Sequence, residues 1–473
     1  MSYHKTPILG IWGTDYFIYF QEDAMKKRSA AAAVIAALIL IMSVCLSGCG
    51  TKTLLSENDP VTLEFWHVYG EQSGSPMNEL VDEFNRTEGM EKGIRIKVTA
   101  MSNASDIGRF LRDAQNGGSS AQHMPDIFTC HITDAVSLGE DNLVNWNDWF
   151  SSKDLSAFVP GFLDDGTYDD RLLVFPVSKS TQLLMINGSG FRKFSDATGV
   201  TYDDLSTWNG FYDAAAKFYE WSGGRPFCAF DFPARAMELD ALEMGCSELY
   251  NENGWYDEDN ETLKAGWMKF ARSLAQGHVV VSDMYSNTQV MTGDTLCGMG
   301  SSAAILYYND TVTYRDNTSE PMDLHVVPMP KEEGSTGLMT QAGVGLCAYR
   351  TTDQKAEAAS VFARWLTEPE RNLDFVTSTG YMPVRSGAFD SIADHDFKDE
   401  SYARLYDSLS RMHEEYTPVS EPRFDGYYEK VNSFYDTLRN MQGNMPARVA
   451  ASGGPDAFAL ETWKQLCSLD DKL

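Results

Sequence analysis

Residues capable of making or breaking bonds are present in this sequence, but not at the spacing that chemistry needs. No Gly-x-Ser-x-Gly run offers a nucleophile elbow, and no His-Glu-x-x-His places two imidazoles on one helical face. Gly343-Val344-Gly345-Leu346-Cys347-Ala348 has the alanine-ended form of a dinucleotide loop. It lies in an apolar, strand-like run and opens no helix, so the context for a pyrophosphate is missing. Asp257, Asp259 and Glu261 alternate like a calcium loop, but Thr262 stands where such a loop needs glycine and Met268 where it needs a bidentate glutamate. A solvated turn is the expectation there. The six cysteines from Cys130 to Cys467 show no Cys-x-x-Cys pair and leave their disulfide pairing open, and the 8 histidines are scattered. Neither a metal nor a cofactor is expected. Any carboxylate pair suited to glycoside hydrolysis among the 68 acidic residues would be set by the fold, not by spacing.

The chemistry that can be read locally is near the start. Lys26, Lys27 and Arg28 form a charged front, Ala30 to Leu46 runs without a charge, and Leu46-Ser47-Gly48-Cys49 closes with small residues. That order is a secretory leader. A cysteine directly after Leu-Ser-Gly resembles a bacterial lipobox, in which Cys49 receives the lipid and becomes the first mature residue. Several acyl chains on one cysteine anchor a protein durably, whereas one chain does not. A transmembrane anchor is the alternative, and under either reading the chain after Cys49 lies outside the membrane. Residues 1–24 precede the basic front and fit no leader, so translation is expected to start at Met25.

The elements that must position any site follow Cys49. The chain, 473 residues long, exceeds one hydrophobic core, and two domains are expected. Its formal net charge of −30, from 38 basic and 68 acidic side chains, would repel nucleic acid. Val61, Leu63 and Phe65 alternate as a strand, and Ser75-Pro76 opens a helix whose Met77, Leu80, Val81 and Phe84 share one face. Ile94, Ile96 and Val98 form a second strand, Ile107, Phe110, Leu111 and Ala114 a second helical face, and Pro125 to Phe128 a third strand. Alternation of strand and helix predicts an α/β fold with a largely parallel sheet. Ile392 to Tyr416 reads as a charged helix.

These blocks carry a resemblance. The opening from Leu63 to Asn85, followed by Met124 to Ala135, resembles the first lobe of the family 1 extracellular solute-binding proteins, which serve ATP-driven importers of carbohydrates and polyols. Arg171 to Thr181, running on to Met185-Ile186-Asn187, is similar to that family's crossover. Thr207-Trp208-Asn209-Gly210-Phe211, Gly300-Ser301-Ser302-Ala303-Ala304, Val326 to Pro330, Gly343-Val344-Gly345, Phe362 to Leu366 and Thr379-Gly380-Tyr381-Met382-Pro383 keep the family order. The Phe65-Trp66-His67 opening and the Thr379 to Pro383 block most resemble the glycerol-3-phosphate branch. That branch has a glutamate near the position of His131 and Ile132.

The resemblance implies a two-lobed periplasmic-binding-protein-like fold of type II, with a hinge between lobes. Residues 1–24 would lie ahead of a leader at 25–48 and a tether at 49–58. Lobe 1 would take 59–178 plus 335–380, and lobe 2 would take 179–334 plus 381–473. Crossings are expected near Val177 to Thr181, Glu332 to Gly337 and Tyr381 to Arg385. The implied protein is a monomer that binds a carbohydrate or polyol and partners ABC permease subunits. The alternatives are a glycerol-3-phosphate-type ligand or a secreted carbohydrate-active enzyme.

A cleft for a sugar needs aromatic platforms and a few fixed hydrogen-bonding groups. Trp66, Tyr69, Phe232, Trp255 and Tyr381 lie in or beside loops and either line the cleft or pack in the core. Ser180, Thr181, Ser301, Ser302 and the Gly343 backbone stand at expected lobe edges, although Ser301 or Ser302 equally suits a helix cap. His67 and His131 are candidate hydrogen-bonding groups. Arg423 is the guanidinium to test for a phosphate, or else an ordinary surface arginine.

Overall fold

Val61, Leu63 and Phe65 are buried while Thr62 and Glu64 are exposed, so the first strand is anchored by the alternation its sequence shows. The computed structural model describes residues 53–69, 75–100, 104–117, 123–283, 285–397, 399–424 and 426–469. The leader, Cys49 and the start of the tether lie outside the described residues. From Leu55 onward the chain forms a single unit. Among the described residues no helix is long and apolar enough to cross a membrane.

The strands in chain order are β1 (Val61–His67), β2 (Ile94–Ala100), β3 (Ile127–Cys130), the ribbon β4 (Thr167–Tyr168) and β5 (Arg171–Leu172), then β6 (Gln182–Asn187), β7 (Cys228–Phe230), β8 (Val279–Val281) and β9 (Cys297–Ser301). After these come the ribbon β10 (Thr311–Thr313) and β11 (Ser319–Pro321), β12 (Leu324–Pro328), β13 (Gly337–Gln341), β14 (Gly345–Ala348) and β15 (Tyr416–Ser420). They build two main sheets. The first has the order β14-β3-β1-β2, parallel except for β14; the second has the order β12-β6-β9-β7-β8. In the second sheet β6 runs antiparallel to both its neighbours, and only β7, β8 and β9 pair in parallel. The α/β architecture with two lobes follows the expectation; the second sheet is more mixed than a simple alternation predicts.

Helices cover both faces of the first sheet. Pro76–Arg86 buries Met77, Val81 and Phe84 against one face, and Ser75, at its start, donates its hydroxyl to the Tyr69 carbonyl in place of a helix cap. Burying such side chains contributes about 1.5–3 kcal/mol each. Ala104–Asn116 supplies Ile107 and Leu111 to the other face, where they join Trp66 and Phe128. Around the second sheet, Phe191, Phe194, Phe211, Phe218, Phe227 and Phe230 form an aromatic core. The C-terminal helices Tyr427–Gln442 and Pro455–Cys467 pack into that core through Phe434, Leu438, Phe458 and Trp463. The charged stretch after Ile392 is the helix Glu400–Glu415, and it lies along β12.

Three backbone segments run side by side between the sheets. Ser180 and Ala342 exchange N–H···O bonds of 2.9 and 2.8 Å, and Lys179 forms the same kind of bridge with Met382. Lys179, Ser180 and Met382 belong to the first and third segments proposed to cross. The second lies at Ala342 to Val344 and not at Glu332 to Gly337. The Glu332 and Leu338 amides both donate to the Glu243 carboxylate, on a helix of the second core, and β13 pairs in parallel with β15. Proline and glycine near Glu332 mark a turn there, not a crossing.

Among the described residues six cysteines are free thiols, and the sulfurs of Cys130 and Cys347, on paired strands, lie 3.4 Å apart. The Asp257 turn is solvated: its carboxylate accepts the Asp259 amide, and Asn260 caps the helix Glu261–Ala275.

Candidate functional site

A cavity of about 630 Å³ opens between the two sheets, bordered by the crossings and by the segment after β15. Each wall begins where a strand ends, the position where α/β folds present ligand groups.

On the first-sheet side, β3 ends at Cys130 and His131 starts the helix Ile132–Ser137 in an extended conformation. His131 Nδ1 lies 3.4 Å from Glu421 Oε2, and Asp134 accepts from Arg112 Nη1 at 3.0 Å. Burial alone lowers the His131 pKa. The Glu421 hydrogen bond and charge, with the charge of Asp134, outweigh burial and leave it above the ordinary histidine value. Burial also raises Glu421, but His131 and Tyr428 outweigh that and hold its carboxyl below the usual range.

The floor is the crossing itself. Thr181 Oγ1 meets Thr340 Oγ1 at 3.3 Å, and Gly343 adopts φ +105°, a conformation that side chains resist. An added Cβ at Gly343 would find Ser180 at an ordinary 3.8 Å, so the backbone angle, not space, calls for glycine.

On the second-sheet side, β7 ends at Phe230 and Pro233 opens the helix Pro233–Glu243. Asp231 and Phe232 sit between them and face the cavity. The Ser286 amide and hydroxyl donate to the Asp231 carboxylate at 2.7 and 3.1 Å. A Cβ on Gly300 would come within 2.1 Å of Asp231 Oδ2, so only glycine leaves room for that carboxylate. Burial pushes its pKa up to about 6.

Behind Asp231, Arg235 donates to Glu238 at 2.6 Å and to the Val419 and Ser420 carbonyls at 3.1 and 2.7 Å. Glu238 Oε1 accepts three tyrosine hydroxyls, from Tyr250 at 2.8 Å, Tyr256 at 2.6 Å and Tyr427 at 2.9 Å. Two buried atoms in the cavity wall, Gln182 Oε1 and Arg235 Nε, have no hydrogen-bond partner.

Of the residues expected at the site, His131, Ser180, Thr181, Phe232, Ser301 and Gly343 line this cavity. Ser301 also caps the short helix Ser302–Tyr307 by accepting the Ala303 amide. The others lie elsewhere. Trp66 does face away from Leu63 and Phe65, but helices cover both faces of a parallel sheet, so that side is core as well. His67 is buried against Asn78 at 2.9 Å, and burial, only partly offset by that bond, lowers its pKa to about 4. The Tyr69 hydroxyl meets Ser178 Oγ at 2.9 Å, and Tyr381 packs edge-on against the Tyr69 ring. Trp255 is fully buried, with its indole N–H on the Leu466 carbonyl. Ser302 is buried and its amide closes onto the Thr181 carbonyl. Arg423 donates to the Asp164 and Thr167 carbonyls at 2.6 and 3.0 Å and takes no part in the wall.

Sequence reading passed over Gln182, Asp231, Arg235 and Glu421. Asp231 alone carried a signal: a carboxylate between an apolar run and the helix-opening Pro233 marks a strand end.

Residues 79–401 match the family of bacterial extracellular solute-binding proteins, and the chain belongs to that family. Solved structures share its fold. UgpB from Mycobacterium tuberculosis, in complex with glycerophosphocholine, is 16% identical, with a TM-score of 0.65 over 87% of this chain and 99% of that one. The cyclic alpha-maltosyl-1,6-maltose binding protein of Arthrobacter globiformis is 14% identical, with a TM-score of 0.64 over 88% and 100%. The sugar-binding protein MalE of Xanthomonas citri is 15% identical, with a TM-score of 0.64 over 87% and 98%. A search among curated protein sequences gave no match.

Proposed function

We propose that this protein is the lipid-anchored, extracytoplasmic receptor of an ABC importer. It captures a carbohydrate or polyol between its lobes as a monomer, performs no chemistry, and delivers the solute to the membrane permease. The observation that carries this reading is the cavity of about 630 Å³ closed by groups from both sheets. A solute held there draws the lobes together only through its higher affinity for the closed form. Its aromatic and hydroxyl-bearing wall suits a polar solute with apolar faces. Among the described residues, the cavity's histidine is tied to a carboxylate and not to a hydroxyl, which is not the arrangement of a histidine-activated hydroxyl nucleophile. The ligands named for the structural relatives, a maltosyl-maltose and glycerophosphocholine, define the range of solutes to test.

A phosphorylated ligand fits less well. The guanidinium groups of Arg112, Arg235 and Arg439 are each paired with a carboxylate, and Arg423 is spent on backbone carbonyls.

A thermal-shift screen of residues 50–473 against saccharides, polyols and glycerol phosphates tests the reading. A ligand at about 100 times its dissociation constant adds about 2.7 kcal/mol. A hit on one class, recovered unchanged, is expected; product formation would make the protein an enzyme, and silence across the panel would contradict a receptor. Mass analysis of the mature N-terminus tests the anchor, which requires lipid on Cys49.

A further inference from the structure

The charges in the cavity wall do not cancel. Arg112 pairs with Asp134 at 3.0 Å, Arg439 with Asp436 at 2.7 Å, and His131 with Glu421 at 3.4 Å. Arg235 is neutralised by Glu238 at 2.6 Å. Among the described residues, no cation is ion-paired with the remaining wall carboxylates, Asp231, Asp283 and Glu429. Asp283 and Glu429 lie exposed at the rim, whereas Asp231 is only 4% exposed. The Arg439 charge reaches Asp231, but Arg439 is paired with Asp436, and a buried carboxylate with no ion pair of its own is costly unless something else compensates it. Here the cost is built in, because the Ser286 donors fix the carboxylate and Gly300 makes room for it.

A second observation is independent of charge. Gln182 is 6% exposed, and its Oε1 accepts no hydrogen bond from the protein. Arg235, equally buried at 6%, has an Nε–H without an acceptor. Unsatisfied buried polar atoms in a cavity wall are groups waiting for a partner. The acceptor calls for an O–H or N–H, and the donor calls for a hydroxyl oxygen. Around them stand aromatic rings, Phe232, Tyr285 and Phe424 among them, whose faces attract cations.

The geometry points to a ligand that carries a positively charged amine on a polyhydroxylated frame, such as an amino sugar or an amino-substituted oligosaccharide. Its ammonium group docks at Asp231, and its hydroxyls meet Gln182 Oε1 and Arg235 Nε. This inference rests on the receptor reading and deepens it by naming the solute's chemistry.

Matched probes isolate the charge: glucose, glucosamine and N-acetylglucosamine, together with their β-1,4-linked dimers, titrated calorimetrically into residues 50–473. The amine probe is expected to bind at least tenfold tighter than both uncharged counterparts, with an advantage that shrinks as salt is added. In the Asp231→Asn variant, the amine and uncharged probes should bind alike. Should that variant fail to fold, Asp283→Asn at the exposed rim should still cut the amine preference several-fold. Equal or tighter binding of an uncharged counterpart, or no binding of any amine probe, overturns the inference. A neutral sugar captured in the wider screen would show that the receptor reading survives that result; no saturable binding of any solute would sink both.

Discussion

On the first-sheet side the cavity is bounded by the six-residue helix Ile132–Ser137, with His131 and Asp134 each held by one charged partner. On the second-sheet side it is bounded by the buried helix Pro233–Glu243, where one glutamate collects an arginine and three tyrosine hydroxyls. The second wall is fixed before any solute arrives, because each member's position is set by several others. The first wall depends on few contacts, and some of those reach across to Glu421 after β15. The second wall is therefore held by more contacts than the first.

The comparison can be broken most forcefully at Glu238. Glu238→Ala leaves a buried guanidinium without its charged partner and three hydroxyls without their shared acceptor, and should cost about 3–5 kcal/mol in urea unfolding. A loss below 1 kcal/mol would show that the second wall is no more rigid than the first.

Two histidines of the first-sheet side, His67 in its core and His131 in the cavity wall, give the next effect. His67 titrates at about 4 in the folded chain, below histidine's ordinary 6.5, so the unfolded chain takes up the proton first. Stability should therefore fall by about 3 kcal/mol as pH drops from 6.5 to 4. His67→Phe should flatten that slope. His131 behaves in the opposite sense. Its link to Glu421 is complete below histidine's ordinary value and is lost as pH rises through its own raised pKa. His131→Gln should flatten stability on that neutral-to-alkaline side.

Gln182→Ala, which removes the unpartnered side-chain carbonyl from the cavity, should weaken solute binding about tenfold by calorimetry while leaving the melting temperature nearly unchanged. An unaltered affinity would remove Gln182 from the site. The smallest effect belongs to Arg423→Ala. Two bonds to carbonyls are lost, so stability should fall by about 1 kcal/mol and solute affinity should not change. A strong loss of affinity would revive the phosphate reading.

Periodicity made much of the fold legible. Val61, Leu63 and Phe65 gave β1, Met77 to Phe84 the first helix and Ile94 to Val98 the second strand, because burial on one face leaves a local trace. The site was legible only in part. Ser180, Thr181, Ser301 and Gly343, which line the cavity, drew notice because they sit at expected lobe edges. Trp66 and Trp255 misled because an aromatic beside a loop packs in the core as readily as it lines a cleft, and only tertiary packing decides between them. Glu421 joins Asp231 and Arg235 from about 190 residues away, and the burial of these charged groups beside one cavity has no local signature. The second crossing was misplaced for a related reason. The turn residues near Glu332 were visible, but the Glu243 carboxylate that ties them to the second core lies far upstream.

The most direct test of a solute held between these walls is a calorimetric titration of residues 50–473 with the solute found by screening, repeated on Ala342→Trp. Ala342 lines the cavity at the crossing and bonds Ser180 only through its backbone, so the indole fills the space and the bridge survives. One binding site per chain in the parent, lost in a variant that still unfolds cooperatively, is the predicted result. Undiminished binding by the variant would place the solute elsewhere and contradict the site.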